Sequence, residues 1–150
     1  MTKAEKQNQL KVFRSLCSHS CDFMSCWIPL PTTVIAKSLG ISLYQCRKAM
    51  RQLVAEGLAV SDSCVIDCEN PLPYNGYTIT EKGRQTGIYM YISLRSARIC
   101  AECFDASINC FLPEDFDYRW LSRTERQAVQ EYLDAHFYMN AALPQAFGTT

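Results

Sequence analysis

Side chains with the chemistry to bind nucleic acid are concentrated in residues 42–52 of this 150-residue chain. Apolar residues recur there at the i, i+3, i+4 and i+7 spacing of a helix with one buried side, namely Cys46, Ala49, Met50 and Leu53. The same spacing turns a phenol, two amides and three cations outward: Tyr44, Gln45, Arg47, Lys48, Arg51 and Gln52. Gln can pair with adenine, Arg with guanine, and cations with phosphate. This face predicts a helix that binds in the major groove of double-stranded DNA.

Nine cysteines are the second set of reactive side chains. Cys100 and Cys103 have the spacing of half a structural zinc site, and Cys64 and Cys68 could supply the other half. The first pair also falls on one face of a predicted helix, so packing explains its spacing. We therefore predict reduced thiols with no bound metal and no cofactor. A regulator that responds to metal or to thiol oxidation is an alternative, with further ligands among Cys17, His19, Cys21, Cys26 and Cys110.

The sequence contains no recognisable catalytic pattern. Its two histidines, His19 and His136, lie in no metal-binding or nucleophile motif, and its six glycines form no phosphate-binding loop. A carboxylate cluster at residues 114–117 resembles an acid–base site, but a solvated loop after Pro113 explains it. We expect no enzymatic activity and assign no catalytic residue.

Two short helices and the turn between them position the predicted DNA-binding face. The first helix covers residues 33–39, with one of the threonines at 32–33 as its cap. It ends at Gly40, which can adopt a positive φ. Ser42 is a good N-cap for the second helix, at residues 43–56. Together these signals predict a helix-turn-helix.

A strand-rich segment follows the two helices. Glu56–Val60 stops the second helix and begins a short apolar strand, and Ser61–Asn75 is predicted to be a long loop. Gly76–Thr86 alternates like a strand and then opens a helix. The apolar segment Cys26–Leu30 is a candidate for a further strand that pairs with this hairpin. The order predicts a helix-turn-helix followed by a wing.

The segments IAKSLGIS, RKAMRQLVAEGL and YTITEKGR resemble the winged-helix domains of MarR-type and PadR-type bacterial regulators. The resemblance covers residues 10–84. It implies an α+β, mostly α fold with a winged-helix DNA-binding domain at residues 1–86 and a helical extension at 87–150. It also implies a sequence-specific transcriptional regulator that binds double-stranded DNA as a homodimer.

Two groups of residues are expected to contact the DNA in that arrangement. Base edges are expected to be within reach of Tyr44, Gln45, Arg47 and Lys48 on the second helix, and Ser42 and Gln52 are further predicted DNA-binding residues. Phosphates are expected to bind cations on this helix and around it, namely Arg51, Lys37, Lys82 and Arg84.

The distribution of charge supports this reading, although the net charge is zero. Residues 1–60 carry eight basic and three acidic residues, and residues 100–150 carry three basic and eight acidic ones. The basic N-terminal part is suited to binding a polyanion, and the acidic C-terminal part is suited to a separate role in assembly. The predicted wing loop is acidic and has no basic residue, which departs from a wing that grips DNA. The second alternative is therefore a winged-helix adaptor of a phage or mobile element that docks a host protein.

Helices are also predicted at both ends of the chain. Lys3–Cys17 has one apolar side, and Glu81–Phe104 is predicted to be a single long helix. Asn109–Tyr118 is a loop, and Ser122 with Glu125 has the spacing of a capping box for a last helix. The apolar face of the long helix is expected to comprise Ile88, Tyr91, Ile92, Ile99, Cys100 and Cys103, and that of the last helix Ala128, Val129, Tyr132, Leu133 and His136.

These two apolar faces are the expected site of homodimer formation. No apolar run approaches the roughly 18 residues of a membrane span. The N-terminal lysines precede no apolar segment of a secretion signal. We therefore expect a cytoplasmic protein that does not bind membranes.

Overall fold

The computed structural model describes residues 1–136, which form an α+β fold that is mostly helical. Three helices precede a two-stranded antiparallel hairpin, an order consistent with a winged-helix topology. The chain divides into two compact units, one spanning Met1–Tyr89 and the other beginning at Met90. The elements are α1 Lys3–Ser20, α2 Thr32–Leu39, α3 Leu43–Ala55, β1 Ala59–Cys64, β2 Tyr74–Ile79, α4 Glu81–Arg84, α5 Gly87–Cys103 and α6 Arg123–His136.

Two predictions from the sequence concern membrane spans and the C-terminal extension. Within residues 1–136, none of the helices is both long and apolar enough to cross a membrane. The remainder of the expected C-terminal extension, residues 137–150, lies outside the described residues.

The core of the first unit lies where α1 and α2 pack against α3. The predicted apolar side of α3 is confirmed, because none of its four residues is more than 2% exposed. The side chains that α1 and α2 bury are Val12, Phe13, Leu16, Cys17, Ile35 and Ala36. Burial of this apolar surface is the main driving force for the three-helix arrangement.

The ends of α1 and α2 differ from the prediction. α1 continues to Ser20 instead of ending near Cys17, because the Ser20 hydroxyl donates to the Cys17 carbonyl at 2.7 Å and satisfies one of the last carbonyls. The expectation that a threonine caps α2 was wrong. Pro31 occupies the cap position with an extended backbone and no side-chain hydrogen bond, and the threonines at 32–33 are already helical.

The hairpin pairs β1 with β2 from Ala59 opposite Ile79 to Cys64 opposite Tyr74. The predicted loop Ser61–Asn75 was therefore too long, since only residues 65–73 connect the strands. Most side chains in the outer half of the hairpin are exposed. The strands pair there through their backbones but lack the apolar alternation by which a strand is recognised in a sequence. Leu30 pairs with β2 in an isolated bridge, through two backbone hydrogen bonds with Tyr77 at 2.9 and 3.0 Å, so the predicted strand Cys26–Leu30 contributes only this residue to the pairing.

The predicted helix Glu81–Phe104 is interrupted. α4 ends at Arg84 and α5 begins at Gly87. Between them, the Thr86 hydroxyl donates to the Gly83 carbonyl at 2.7 Å and accepts the Tyr89 N–H at 3.3 Å. Thr86 is thus hydrogen-bonded to the end of α4 and to the start of α5. These local hydrogen bonds favour a break between the two helices over a continuous helix.

The apolar face predicted on α5 is not the side that this fold buries. Tyr91 and Ile99 are 60% and 53% exposed, and Cys103 is exposed. The buried residues of this helix are Tyr89, Met90, Ser93, Leu94 and Ala97. Apolar residues occur almost all around α5, so their spacing alone does not select the side that faces the core.

In the second unit, an ion pair joins α5 to the start of α6. The predicted capping box is confirmed, because Ser122 and Glu125 exchange hydrogen bonds at 3.0 and 3.2 Å. Arg98 donates two hydrogen bonds to the Glu125 carboxylate, at 2.7 and 2.8 Å. On α6, Val129 is buried, whereas Ala128 and His136 are exposed. The buried side of α6 is therefore narrower than the predicted apolar side. The predicted loop Asn109–Tyr118 meets short 3-10 turns at both ends, at Ile108–Cys110 and Tyr118–Trp120.

We predict that Gly76→Ala will destabilise the first unit. A Cβ atom at Gly76 would lie 2.6 Å from the carbonyl carbon of Leu30 and 2.7 Å from that of Pro29, and neither backbone can rotate away. The expected loss is about 1–3 kcal/mol in the free energy of unfolding, measured by urea denaturation. The neighbouring exposed residue provides the control, since Asn75→Ala should change stability by no more than about 0.5 kcal/mol. Equal stability of the two variants would contradict the close approach of Leu30 to β2.

We also predict a specific acid sensitivity. Arg98 lowers the pKa of Glu125 from 4.5 to about 2. Because the native pKa lies below the ordinary value, the stabilisation is complete above about pH 4.5 and is lost as the pH falls towards 2. Glu125→Gln retains an oxygen for the capping box but cannot ionise. The stability difference between the wild type and this variant, measured by denaturation at each pH, should shrink over that range. A difference independent of pH would rule out the ion pair.

Candidate nucleic-acid interface

The N-terminus of α3 is held by a tight turn and a capping box. Gly40 ends α2 with φ 66°, as predicted. The Ser42 hydroxyl accepts the Gln45 N–H at 3.1 Å, and the Gln45 side-chain oxygen accepts the Ser42 N–H at 3.1 Å. The prediction that Ser42 is the N-cap is therefore confirmed. Because the Gln45 oxygen serves the cap, a two-bond pairing with adenine would have to replace that hydrogen bond.

The outward side of α3 carries a row of exposed side chains. Tyr44 is 68% exposed, and Arg47 and Arg51 are exposed one helical turn apart. Within residues 1–136, neither guanidinium forms a salt bridge. Val54, 41% exposed, extends this row, and the sequence reading overlooked it although it lies three residues beyond Arg51. We call Tyr44, Arg47, Arg51 and Val54 the outer row.

A second row on α3 faces the N-terminal part of α1. Lys48 and Gln52 lie on this edge and line a groove of about 490 Å³ between the two helices, together with Glu5 and Asn8. The Lys48 ammonium is 2.6 Å from a Glu5 carboxylate oxygen. Among the described residues, the side-chain oxygen of Gln52 is buried and accepts no hydrogen bond. Lys48 is therefore paired with Glu5 and the Gln52 oxygen is buried, whereas the residues of the outer row are exposed to solvent.

Electrostatics keep the pair between the two helices ionised. The hydrogen bond from Lys48, helped by the Thr2 N–H, lowers the pKa of the Glu5 carboxyl. The same hydrogen bond raises the pKa of Lys48, with a further contribution from the charge of Glu5. Both groups are thus charged at neutral pH, and the positive charge of Lys48 is neutralised locally.

The remaining predicted phosphate ligands lie elsewhere on the first unit. Lys37 is exposed on α2. Lys82 donates to the Glu56 carbonyl at 2.8 Å, at the C-terminal end of α3. Arg84 donates to the Ile79 carbonyl at 3.4 Å, at the end of β2. α3 has 13 residues and is about 20 Å long, so Lys82 lies far from the capped N-terminus of the helix.

The loop of the hairpin is acidic and apolar. Residues 65–73 carry Asp67 and Glu69 and no cation, and Asp62 lies near the end of β1, just before the loop. The side chains of Val65 and Ile66 in this stretch are about half exposed, and that of Leu72 is more exposed. Such a surface repels phosphate and favours contact with another apolar surface.

The cysteines do not converge on a site in the part of the chain that the structure describes. Within residues 1–136, no three side chains of the types that bind metals lie close enough to hold one ion. Burial raises the pKa of Cys17 to about 12 and also raises that of Cys46. These two thiols are therefore protonated at neutral pH, and they pack in the core as small apolar groups. Cys100 is half-buried, and Cys103 and Cys110 are exposed.

We predict that Ser42→Ala will lower stability by about 1 kcal/mol, because it removes the acceptor for the Gln45 N–H at the start of α3. Ser42→Asn is the matched control, since Asn caps helices as well as Ser does and should preserve the free energy of unfolding. Thermal denaturation of both variants measures the difference. If Ser42→Ala were as stable as the wild type, the capping box would not contribute to holding α3.

The chain matches no protein-family model, no curated protein and no solved structure.

Proposed function

We propose that this protein is a winged-helix transcriptional regulator that binds double-stranded DNA through the outer row of α3. The observation that carries the proposal is the pair of exposed guanidiniums, Arg47 and Arg51, on a capped helix with no acidic partner in the described residues. The order of three helices and a hairpin, with the Leu30 bridge to β2, supports a winged helix. The resemblance of residues 10–84 to MarR-type and PadR-type regulators is in keeping with this assignment.

The outer row has the dimensions and chemistry for the major groove. An α-helix with its side chains is about 10–12 Å across, close to the roughly 12 Å width of that groove. Arg47, nearer the N-terminus of α3, is placed to pair with guanine through two hydrogen bonds. Arg51, one turn further along, is assigned to a phosphate. Tyr44 contributes a hydroxyl and an aromatic ring beside them.

Binding as a homodimer is part of the proposal. One recognition helix reads only a few base pairs, and regulators of this type gain affinity by binding two half-sites about 34 Å apart. The exposed apolar residues Tyr91 and Ile99 of α5 are candidates for the contact between two copies. Tyr91 and Ile99 lie in the second unit, whereas α3 lies in the first. Assembly and DNA binding would therefore use different helices.

The test is a pair of variants measured on two kinds of DNA. A duplex selected by the protein from a random pool serves as the specific site, and an unselected duplex as the non-specific one. Arg47→Ala should cost about 1–3 kcal/mol on the selected duplex and much less on the unselected one. Arg51→Ala should weaken binding to both and reduce the slope of log K against log salt by about 0.9 per protomer.

Arg123→Ala is the control, because it removes one exposed positive charge from the second unit. It should leave affinity for both duplexes unchanged. If all three variants bound DNA as the wild type does, the outer row would not be the interface. Failure of the folded wild type to bind any duplex at low salt would overturn the proposal itself.

A second candidate function is favoured by the acidic, apolar hairpin loop. Exposed Val65, Ile66 and Leu72 beside Asp67 and Glu69 suit an apolar protein surface with a positively charged rim. In that case the chain is an adaptor that docks another protein. Absence of DNA binding by the folded wild type would favour this candidate over the first.

A further inference from the structure

Lys48 is held in place by a carboxylate that is itself held by α1. Glu5 lies in the first turn of α1, where one carboxylate oxygen accepts the Thr2 N–H at 3.1 Å. The other oxygen accepts the Lys48 ammonium at 2.6 Å. The Thr2 hydroxyl also accepts the Glu5 N–H at 3.1 Å, which completes the capping box. Glu5 is therefore fixed from both sides, unlike a mobile surface carboxylate.

The helices that carry the two charges are fixed relative to each other by the core. Val12 and Leu16 of α1 and Met50 and Leu53 of α3 are buried in the interface that packs these helices. Lys48 directly follows Arg47 in sequence and is one turn after Tyr44, so it lies at the border between the outer row and the groove. An unpaired ammonium at that border would be within reach of the same DNA as Arg47.

We propose that Glu5 determines the specificity of the DNA-binding face by keeping Lys48 from contacting phosphate. This inference rests on the proposed function. A lysine is a point charge that any phosphate attracts, whereas Arg47 can distinguish guanine through its two-bond geometry. Each free cation adds to the sequence-independent affinity through release of counterions. Pairing Lys48 with Glu5 therefore lowers non-specific binding while leaving the base-reading arginine free.

Four proteins test this inference: the wild type, Glu5→Gln, Lys48→Met and the double variant. Gln is accepted at the third position of a capping box, so Glu5→Gln preserves the start of α1. Affinities for the selected and unselected duplexes are measured from about 50 to 200 mM salt. Circular dichroism confirms that each protein is folded before binding is compared.

Glu5→Gln should bind the unselected duplex more tightly than the wild type, with a salt slope steeper by about 0.9 per protomer. From 200 to 50 mM salt this corresponds to a gain that grows by about 3.5-fold for each protomer, or about twelvefold for a dimer. The ratio of specific to non-specific affinity should fall. The double variant has no charge at either position, as the neutral pair of the wild type has no net charge, so it should have the slope of the wild type. Lys48→Met alone leaves the Glu5 carboxylate unpaired, so it should bind neither duplex more tightly than the wild type does.

Two results would overturn the inference and leave the proposed function intact. If Glu5→Gln left the salt slope at the wild-type value, the release of Lys48 would add no phosphate contact. If the gain from Glu5→Gln persisted in the double variant, Glu5 would act by repelling phosphate directly and not through Lys48. A third result, no binding by any of the four folded proteins, would overturn the proposed function and the inference with it.

Discussion

The packing of α1 against α3 is the constraint on which the rest of the first unit depends. α1, which buries Val12 and Leu16, packs against α3, and this packing determines which side of α3 faces water. It leaves Arg47 and Arg51 exposed and brings Glu5 to Lys48. Without this packing, α3 would be a short amphipathic helix with no preferred outward side, because an isolated helix of that length is marginal in water.

The fold uses several of its cations for internal contacts. Lys48 pairs with Glu5, Lys82 bonds to the last turn of α3, and Arg84 bonds to the end of β2. A count of basic residues along the first unit therefore overstates the positive charge that a ligand would meet. The charge that faces solvent on α3 is limited to two arginines, which can make directional hydrogen bonds to bases as well as to phosphates.

The first unit presents two chemically different surfaces. The outer row of α3 is cationic and aromatic, whereas the hairpin loop is acidic and apolar. A single polyanion is attracted to the first surface and repelled by the second. DNA binding through α3 therefore has to proceed without phosphate contacts from residues 61–75, and that loop remains available for a different kind of contact.

Features that depend on residues a few positions apart could be predicted from the sequence. These include the apolar side of α3, the left-handed turn at Gly40, the N-cap at Ser42 and the capping box at Ser122, because helical spacing and caps involve neighbours three or four residues away. The tertiary structure decided which side of α5 is buried and which cations stay unpaired. Glu5 and Lys48 are 43 residues apart, and Arg98 and Glu125 are 27 apart. No local pattern encodes such pairs, since they meet only when packed helices bring distant segments of the chain together.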